Sequence, residues 1–315
     1  MIPPIQHEHG IVTLDADYLR PGLAAIHLIV QDGHVAIVDT GTNQSVPMVL
    51  AELRSLGLGR DAVDYVIVTH VHLDHAGAAG ALIQNCPNAM LVAHPKGARH
   101  MIDPAKLVAG SIEVYGREHF LALYGEIVPV PAERVIEADD GFQLDFRDRQ
   151  LSFLDTPGHA RHHFCILDSA SNSLFTGDTF GLSYREFDVD GKPFVFPTTT
   201  PVQFEPDALH ASVDRLVATG AQAAFLTHYG RIADLASLAP ELHAMIDEFV
   251  AMTCMAPGTD EGRHDWLKQA VEYALLKRLR AHGCTLDDAT CKELLANDVE
   301  LNTQGLLVWR DRVKA

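Results

Sequence analysis

Four side chains that can bind a metal ion fall within six residues of this sequence, at His70, His72, Asp74 and His75. They follow the apolar run 65–69, which predicts a buried strand leading into a loop. Extended backbone sends alternate side chains to one face, so His70, His72 and Asp74 can converge. His75 then begins a helix of small residues. The alternative, a loop of surface histidines, explains the clustering less well, because four gathered polar groups are costly to desolvate without an ion.

Three further candidate ligands come directly after later apolar runs. His159 lies in T-P-G-H, Asp178 in G-D-T and His228 in T-H-Y-G. Proline and glycine shape a tight turn that presents His159, and a carboxylate at Asp178 could bridge two cations. Imidazole and carboxylate are ligands of Zn2+ and of non-haem iron or manganese. The set therefore predicts a site for two metal ions.

The elements that must position these residues form an α/β pattern from Gly10 to Gly230. Strands are predicted at residues 11–14, 25–30, 35–39, 65–69, 90–93, 150–154, 164–167, 173–175 and 223–227. Helices are predicted at residues 46–56, 75–84 and 206–218. A helical lid is predicted at residues 96–124, where Pro104 and Gly110 interrupt the pattern.

The pattern becomes helical after His228, with helices predicted at residues 236–252, 263–281 and 287–296 and a short apolar run at residues 305–309. We therefore expect a catalytic domain at residues 1–232 and a C-terminal helical extension at residues 233–315. An apolar stripe at helical spacing must be buried, either against the main domain or in a homodimer formed through these helices. Its members are Leu267, Val271, Ala274, Leu275 and Leu279.

The net charge limits the classes of partner that we expect, and the cysteine content indicates the cellular compartment. The formal net charge is -18, from 42 acidic and 24 basic residues, which repels phosphate backbones and anionic lipids. We therefore expect a small-molecule substrate and neither a nucleic acid nor a membrane as partner. The five cysteines show no C-x-x-C spacing, the first ten residues lack the pattern of a signal peptide, and no run approaches the roughly 20 apolar residues of a membrane span. These features favour a cytoplasmic protein.

The ordered motifs H-x-H-x-D-H, T-P-G-H, G-D-T and T-H-Y-G resemble those of the metallo-β-lactamase superfamily. Within it, the glyoxalase II and lactonase-like branches are the most similar. The sequence V-D-T-G at residues 38–41 matches the first motif of that family, and the resemblance covers about the first 230 residues. It implies an αββα sandwich, in which two sheets pack face to face with helices outside and the metals at one edge of the sheets.

The resemblance also implies a role for each candidate ligand. It assigns the first metal to His70, His72 and His159. It assigns the second metal to Asp74, His75 and His228, and the bridging position to Asp178. Zn2+ is the expected metal, with Fe or Mn as alternatives. Asp39 is expected either to orient a ligand through a hydrogen bond or to accept backbone N–H groups in the turn before Gly41.

The full ligand set suits water activation. Two cations that share one solvent molecule lower its pKa from about 15.7 toward about 7, and Asp74 is the candidate for proton transfer. We therefore expect a hydrolase of a small ester, thioester or lactone. The alternatives are a mononuclear-iron persulfide dioxygenase, a phosphodiesterase, which the net charge disfavours, and a metal-bound sensor with little turnover.

Two stretches depart from the usual pattern of the family. After His159 the sequence continues A-R-H-H, so His163 could face a substrate, although His162 and His163 could also be partly exposed strand residues. The segment 180–201 is a long insertion of the kind that sets specificity. Within it, Tyr184 is either a donor to a substrate oxygen or an ordinary packed tyrosine.

Overall fold

The computed structural model describes residues 2–257 and 262–314, and the chain divides into two compact units. Unit 1 contains Met1–Asp155, His162–Gly177 and Ala221–Arg231, and unit 2 contains Thr156–Arg161, Asp178–Gly220 and Ile232–Ala315. The functional division predicted at residue 232 stays a prediction.

Two β-sheets form the frame of unit 1. The first has the strand order β1-β2-β3-β4-β5-β6-β7, with antiparallel pairing as far as β4 and parallel pairing from β4 to β7. Its strands are β1 (Ile5–Gln6), β2 (Ile11–Asp15), β3 (Ala25–Gln31), β4 (His34–Val38), β5 (Val63–Ile67), β6 (Met90–Ala93) and β7 (Val135–Glu137).

The second sheet has the order β13-β12-β11-β10-β9-β8, antiparallel from β8 to β11 and parallel between β11 and β12. Its strands are β8 (Gln143–Phe146), β9 (Arg149–Asp155), β10 (Phe164–Asp168), β11 (Ser173–Gly177), β12 (Ala223–Leu226) and β13 (Gly230–Ala233). All nine predicted strands are confirmed. Four were not predicted, and two of these, β7 and β8, are half exposed and so lack a continuous apolar run.

The two sheets face each other across one apolar core. Alternate residues point inward, such as Ala36 and Val38 on β4 and Leu151 and Phe153 on β9. Burying one large apolar side chain contributes about 1.5–3 kcal/mol. This arrangement confirms the predicted α/β class with face-to-face sheets. Further members of the core are Ile11, Ile29, Ile67, Val92, Phe146, Phe164, Ile166, Phe175 and Phe225.

The helices of unit 1 correct two predicted boundaries. They are α1 (Val46–Ser55), α2 (Leu73–Ala76), α3 (Ala79–Asn85), α4 (Pro95–Ile102), α5 (Ala105–Tyr115) and α6 (Arg117–Tyr124). The helix predicted from His75 is two helices, and the first begins at Leu73. The lid segment is three helices, interrupted at Pro104 as predicted but not at Gly110, which lies inside α5. The second interruption is at Gly116, whose φ of +77° favours glycine.

The helices of unit 2 are α7 (Pro206–Ala218), α8 (Leu235–Met255), α9 (Arg263–His282) and α10 (Asp288–Lys314). The end of α10 predicted at residue 296 was wrong, because the helix continues through the run 305–309. Its buried face includes polar side chains, such as Asp298 and Asn302, which hid the apolar periodicity. The predicted stripe on α9 is buried, and α9 packs on α10 and α8 within unit 2. The homodimer stays a prediction.

The segment 180–201 is a packed part of unit 2. Its backbone is mostly irregular, with one 3-10 turn at Arg185–Phe187 and a bridge between Leu182 and Phe196. Its aromatic side chains are buried together, among them Phe180, Tyr184, Phe187, Phe194 and Phe196. Among the residues that the structure describes, no helix is long and apolar enough to cross a bilayer.

Candidate metal centre

The loop after β5 places its four candidate ligands in two groups. Strand β5 ends at Ile67, and His72, whose backbone is extended, directly precedes the single turn of α2. Asp74 and His75 lie within that turn. The expectation that Asp74 shares one face with His70 and His72 by strand alternation was therefore wrong, because helical backbone begins at Leu73.

Asp74, His75 and His228 bring three ligand atoms together in unit 1. Nε2 of His228 lies 3.2 Å from Oδ2 of Asp74, and Nε2 of His75 lies 3.6 Å from the same oxygen. The two Nε2 atoms are 3.3 Å apart. His75 is fully buried and His228 nearly so, whereas the side chain of Asp74 is 22% exposed. Two imidazoles and one carboxylate thus face a common point.

The hydrogen bonds of the other ring nitrogens, the Nδ1 atoms of His75 and His228, determine which nitrogen carries the lone pair at that point. Nδ1 of His75 lies 2.8 Å from Oδ2 of Asp39, and Nδ1 of His228 lies 2.8 Å from the carbonyl oxygen of Leu23. Carboxylate and carbonyl oxygens only accept, so both Nδ1 atoms donate and each neutral ring carries its lone pair on Nε2. Two lone pairs and a carboxylate facing one another repel, and a divalent cation between them removes that repulsion. The donor chemistry of this group therefore fits a metal ion.

His70 and His72 form a second pair in unit 1. Nε2 of His70 lies 2.8 Å from Nδ1 of His72. Nδ1 of His70 lies 3.2 Å from Oγ1 of Thr69, whose hydroxyl already donates to the carboxylate of Asp39. Thr69 Oγ1 must therefore accept from His70, which again leaves the lone pair of His70 on Nε2.

Asp39 connects the loops that carry these ligands. Its buried carboxylate accepts from the backbone N–H of Thr69 over 2.8 Å, from Nδ1 of His75 over 2.8 Å and from Oγ1 of Thr227 over 2.6 Å. Its φ of +55° is the left-handed conformation that aspartate tolerates better than most residues. These contacts are those that an orienting residue requires.

Thr69 and Thr227 were missed by the sequence analysis. Each hydroxyl donates to Asp39, and each residue directly precedes a candidate ligand, His70 or His228. The signal that could have found them is the repeated dipeptide Thr-His after an apolar run. The carbonyl of Leu23 offered no such signal, because every residue carries one.

His159 and Asp178 form a pair within unit 2. Nε2 of His159 lies 3.3 Å from Oδ2 of Asp178, and its Nδ1 lies 3.3 Å from the carbonyl oxygen of Thr198. The turn before His159 packs on α7. A Cβ atom on Gly158, whose φ is +131°, would lie 2.4 Å from the backbone of Leu209. His159 is fully buried by this packing.

The two extra histidines are buried in unit 1, so the alternative of partly exposed strand residues was wrong. The ring of His163 stacks on that of His70 with centroids 4.9 Å apart. A Cβ atom on Gly177 would lie 2.6 Å from Nε2 of His163, so glycine is required there. Nδ1 of His162 accepts from the backbone N–H of Val71 over 3.4 Å.

Tyr184 is fully buried in unit 2, and its hydroxyl donates to Oδ2 of Asp298 over 2.9 Å. The burial and the hydrogen bond are those of a packed tyrosine. A contact between Tyr184 and a substrate stays a prediction.

Two sheets that face each other carry, on the loops after β5 and β12, histidine and aspartate side chains that could hold a metal ion. Residues 19–228, more than half of the chain, match the sequence model of the metallo-beta-lactamase superfamily. The chain belongs to this superfamily, which confirms the predicted family and fold class.

Several curated proteins are similar in sequence. A metallo-beta-lactamase fold-containing protein of Sulfurisphaera tokodaii is 28% identical over 191 residues, 58% of this chain and 64% of that protein. A hydroxyacylglutathione hydrolase of Aeromonas hydrophila is 28% identical over 193 residues, 61% of this chain and 56% of that protein. One of Xanthomonas euvesicatoria is 31% identical, covering 64% of this chain and 63% of that protein. The chain thus spans less than two thirds of each of these relatives.

Solved structures show the same fold. A metallo-beta-lactamase superfamily protein from Sulfolobus tokodaii has a TM-score of 0.65 at 21% identity, covering 95% of this chain and 98% of that chain. A metallo-beta-lactamase family protein from Thermus thermophilus has a TM-score of 0.67 at 22% identity, covering 97% of this chain and 94% of that chain.

Proposed function

We propose that this protein is a metal-dependent hydrolase that uses two divalent cations to cleave a small ester, thioester or lactone. The observation that carries the proposal is the group formed by Asp74, His75 and His228. Its two Nε2 atoms lie 3.3 Å apart beside a carboxylate, while both Nδ1 atoms are engaged elsewhere. We propose that this group holds one cation.

We propose that the other cation is held by His70, His72 and His159, with Asp178 between the two. Within unit 2, the contact of His159 with the carbonyl of Thr198 directs the lone pair of its Nε2 toward Asp178, which supports a ligand role for both residues. Imidazole and carboxylate ligands suit Zn2+, which we propose as the metal, with Fe or Mn as alternatives. Such cations, when bound, lower the pKa of water toward about 7 and polarise a carbonyl oxygen.

The protein's own residues would prepare this chemistry. Asp39 fixes the tautomer of His75 and, through Thr69 and Thr227, the loops before His70 and His228. Asp74 is the most exposed of its group, with 22% of its side chain accessible. We propose that its carboxylate accepts the proton released from water and returns it to the leaving group.

The substrate class rests on charge and on relatives. A net charge of -18 opposes binding of a polyanionic backbone. Two of the similar proteins are named hydroxyacylglutathione hydrolase, so a glutathione thioester is the first substrate to test. We also propose a cytoplasmic location, which accords with the free thiols of the five cysteines.

The proposal is tested by metal analysis followed by a substrate panel. Protein purified without added metal is analysed for metal content and then assayed with acyl-glutathione thioesters, aliphatic lactones, p-nitrophenyl esters and bis-p-nitrophenyl phosphate. We expect two divalent ions per chain and fastest turnover of a carboxylic substrate. His72→Ala should lose metal and activity together, and His119→Ala, which removes an exposed histidine from α6, should lose neither.

Other outcomes would support the competing functions. One iron per chain with oxygen uptake on glutathione persulfide would favour a dioxygenase. Phosphodiester cleavage faster than ester cleavage would favour a phosphodiesterase. Full metal occupancy without turnover of any substrate in the panel would favour a sensor.

A further inference from the structure

The last helix of unit 2, α10, is hydrogen-bonded to the segment 180–201, which contacts the candidate ligand His159. Asp298, Asn302 and Gly305 lie four and three residues apart on α10, so they share one face of the helix. Asp298 accepts from the hydroxyl of Tyr184, within the segment 180–201. The other two residues contact the end of the same segment.

Asn302 holds Thr199 through several hydrogen bonds. Its Oδ1 accepts from the backbone N–H of Thr199 over 2.6 Å and from the Oγ1 hydroxyl over 2.8 Å. Its Nδ2 donates to the carbonyl oxygen of Pro197 over 3.4 Å. Asn302 is 1% exposed and Thr199 is fully buried. A buried amide that uses both its acceptor and its donor fixes the backbone on either side of Thr198.

Gly305 lets the helix backbone approach the same residue. A Cβ atom at Gly305 would lie 1.6 Å from the carbonyl oxygen of Thr199, far inside van der Waals contact. Any larger residue would push the segment away from α10. The helix backbone therefore lies very close to the segment at Gly305. At Asn302, hydrogen bonds hold the segment in a fixed orientation.

Thr198 lies between Pro197 and Thr199, both bonded to Asn302, and it contacts His159. Its carbonyl oxygen lies 3.3 Å from Nδ1 of His159, and Oγ1 of Thr200 lies 3.2 Å from the same nitrogen. A carbonyl acceptor at Nδ1 places the lone pair of His159 on Nε2, which faces Asp178.

We propose that Asn302 is a positioning residue of the metal centre, because it fixes the carbonyl of Thr198 and thereby the tautomer and orientation of His159. On this proposal, the C-terminal helix α10 contributes to the geometry of the metal centre. The inference rests on the proposed function, since it concerns the cation assigned to His159.

The test compares Asn302→Ala with Gln304→Ala in the full-length protein. Gln304 lies on the same helix and bonds Glu300 one turn earlier, so it controls for a change in helix stability. Zn2+ affinity is measured by competition with a chromophoric chelator, and the ligand field by the visible spectrum after Co2+ loading. We expect Asn302→Ala to bind one of two Zn2+ equivalents roughly tenfold more weakly, with a changed Co2+ spectrum. Gln304→Ala should match wild type in both.

A conservative variant separates positioning from packing. Asn302→Asp keeps the acceptor for Thr199 but loses the donor to Pro197, so it should weaken Zn2+ binding less than Asn302→Ala does. Its Co2+ spectrum should lie between those of Asn302→Ala and wild type. If Asn302→Ala does not fold, Thr199→Val takes its place in the comparison. This variant removes the bond from the Oγ1 hydroxyl and keeps the bond from the backbone N–H, so the expected loss of Zn2+ affinity is smaller.

Two failures can be told apart. Wild-type affinity and an unchanged Co2+ spectrum in Asn302→Ala would overturn the positioning role alone. Wild-type protein that binds fewer than two cations would instead contradict the proposed function, and this inference with it.

Discussion

Nδ1 of His75 donates a hydrogen bond to Oδ2 of Asp39 over 2.8 Å, and both side chains are fully buried. This contact fixes the tautomer of one candidate metal ligand. It also connects that ligand to a carboxylate that Thr69 and Thr227 contact from two other loops. Much of the proposed chemistry depends on this one carboxylate remaining an acceptor.

Replacing Asp39 by asparagine should therefore weaken metal binding. An amide can donate to His75 and so transfer the ring proton to Nε2, which then cannot ligate. Outer partners of metal-binding histidines contribute about 10- to 100-fold to metal affinity, and we expect a loss in this range. Chelator competition measures it. Unchanged affinity would show that Asp39 acts only as a turn residue.

A second buried aspartate in unit 1 should separate stability from metal binding. Asp168 pairs with Arg149 at 3.0 Å, and the two side chains are 0% and 2% exposed. Asp168→Asn leaves the guanidinium without its countercharge, which should lower the free energy of unfolding by about 3–5 kcal/mol. Metal content should stay at the wild-type level. Urea denaturation measures the change in the free energy of unfolding, and metal analysis measures the metal content. Loss of metal from the folded variant would contradict the expectation that Asp168 affects stability alone.

His27 should make the metal-free protein less stable in acid. Burial, opposed by the hydrogen bond to the carbonyl of Leu226, lowers the pKa of His27 from 6.5 to about 4. The folded state thus binds the proton less readily than the unfolded state. Stability from this residue is fully present above pH 6.5 and is lost as the pH falls toward 4, by about 3 kcal/mol in total.

The variant His27→Gln isolates this contribution, because glutamine can contact Thr13 and Leu226 without titrating. Urea unfolding in the presence of a chelator at pH 7.5 and pH 4.5 compares the two proteins. Wild type should lose more stability than the variant between these pH values. Equal losses would assign the acid sensitivity to other groups.

The sequence indicated the candidate ligands more readily than the residues around them. His70, His72, Asp74 and His75 stood out as candidates because chemistry and spacing coincide in one short segment after an apolar strand. The later candidates were indicated by short motifs at strand ends. All nine predicted strands exist because buried strands leave apolar runs.

The remainder depended on tertiary contacts that leave no local pattern. The helical turn at Leu73 places Asp74 in a different group from His70, whereas strand alternation alone had predicted one shared face. The full length of α10 was hidden because Asp298 and Asn302 are buried on its packed face through hydrogen bonds to distant residues. The hydrogen bond of Tyr184 to Asp298, 114 residues further along the chain, likewise leaves no local pattern in the sequence.

The central claim is that Asp74, His75 and His228 hold one of two cations, and counting bound Zn2+ in wild type and His228→Ala tests it most directly. We predict two equivalents per chain in wild type and one in the variant, with both proteins folded by circular dichroism. A folded variant that retains both ions, or a wild type that binds fewer than two, would contradict the account.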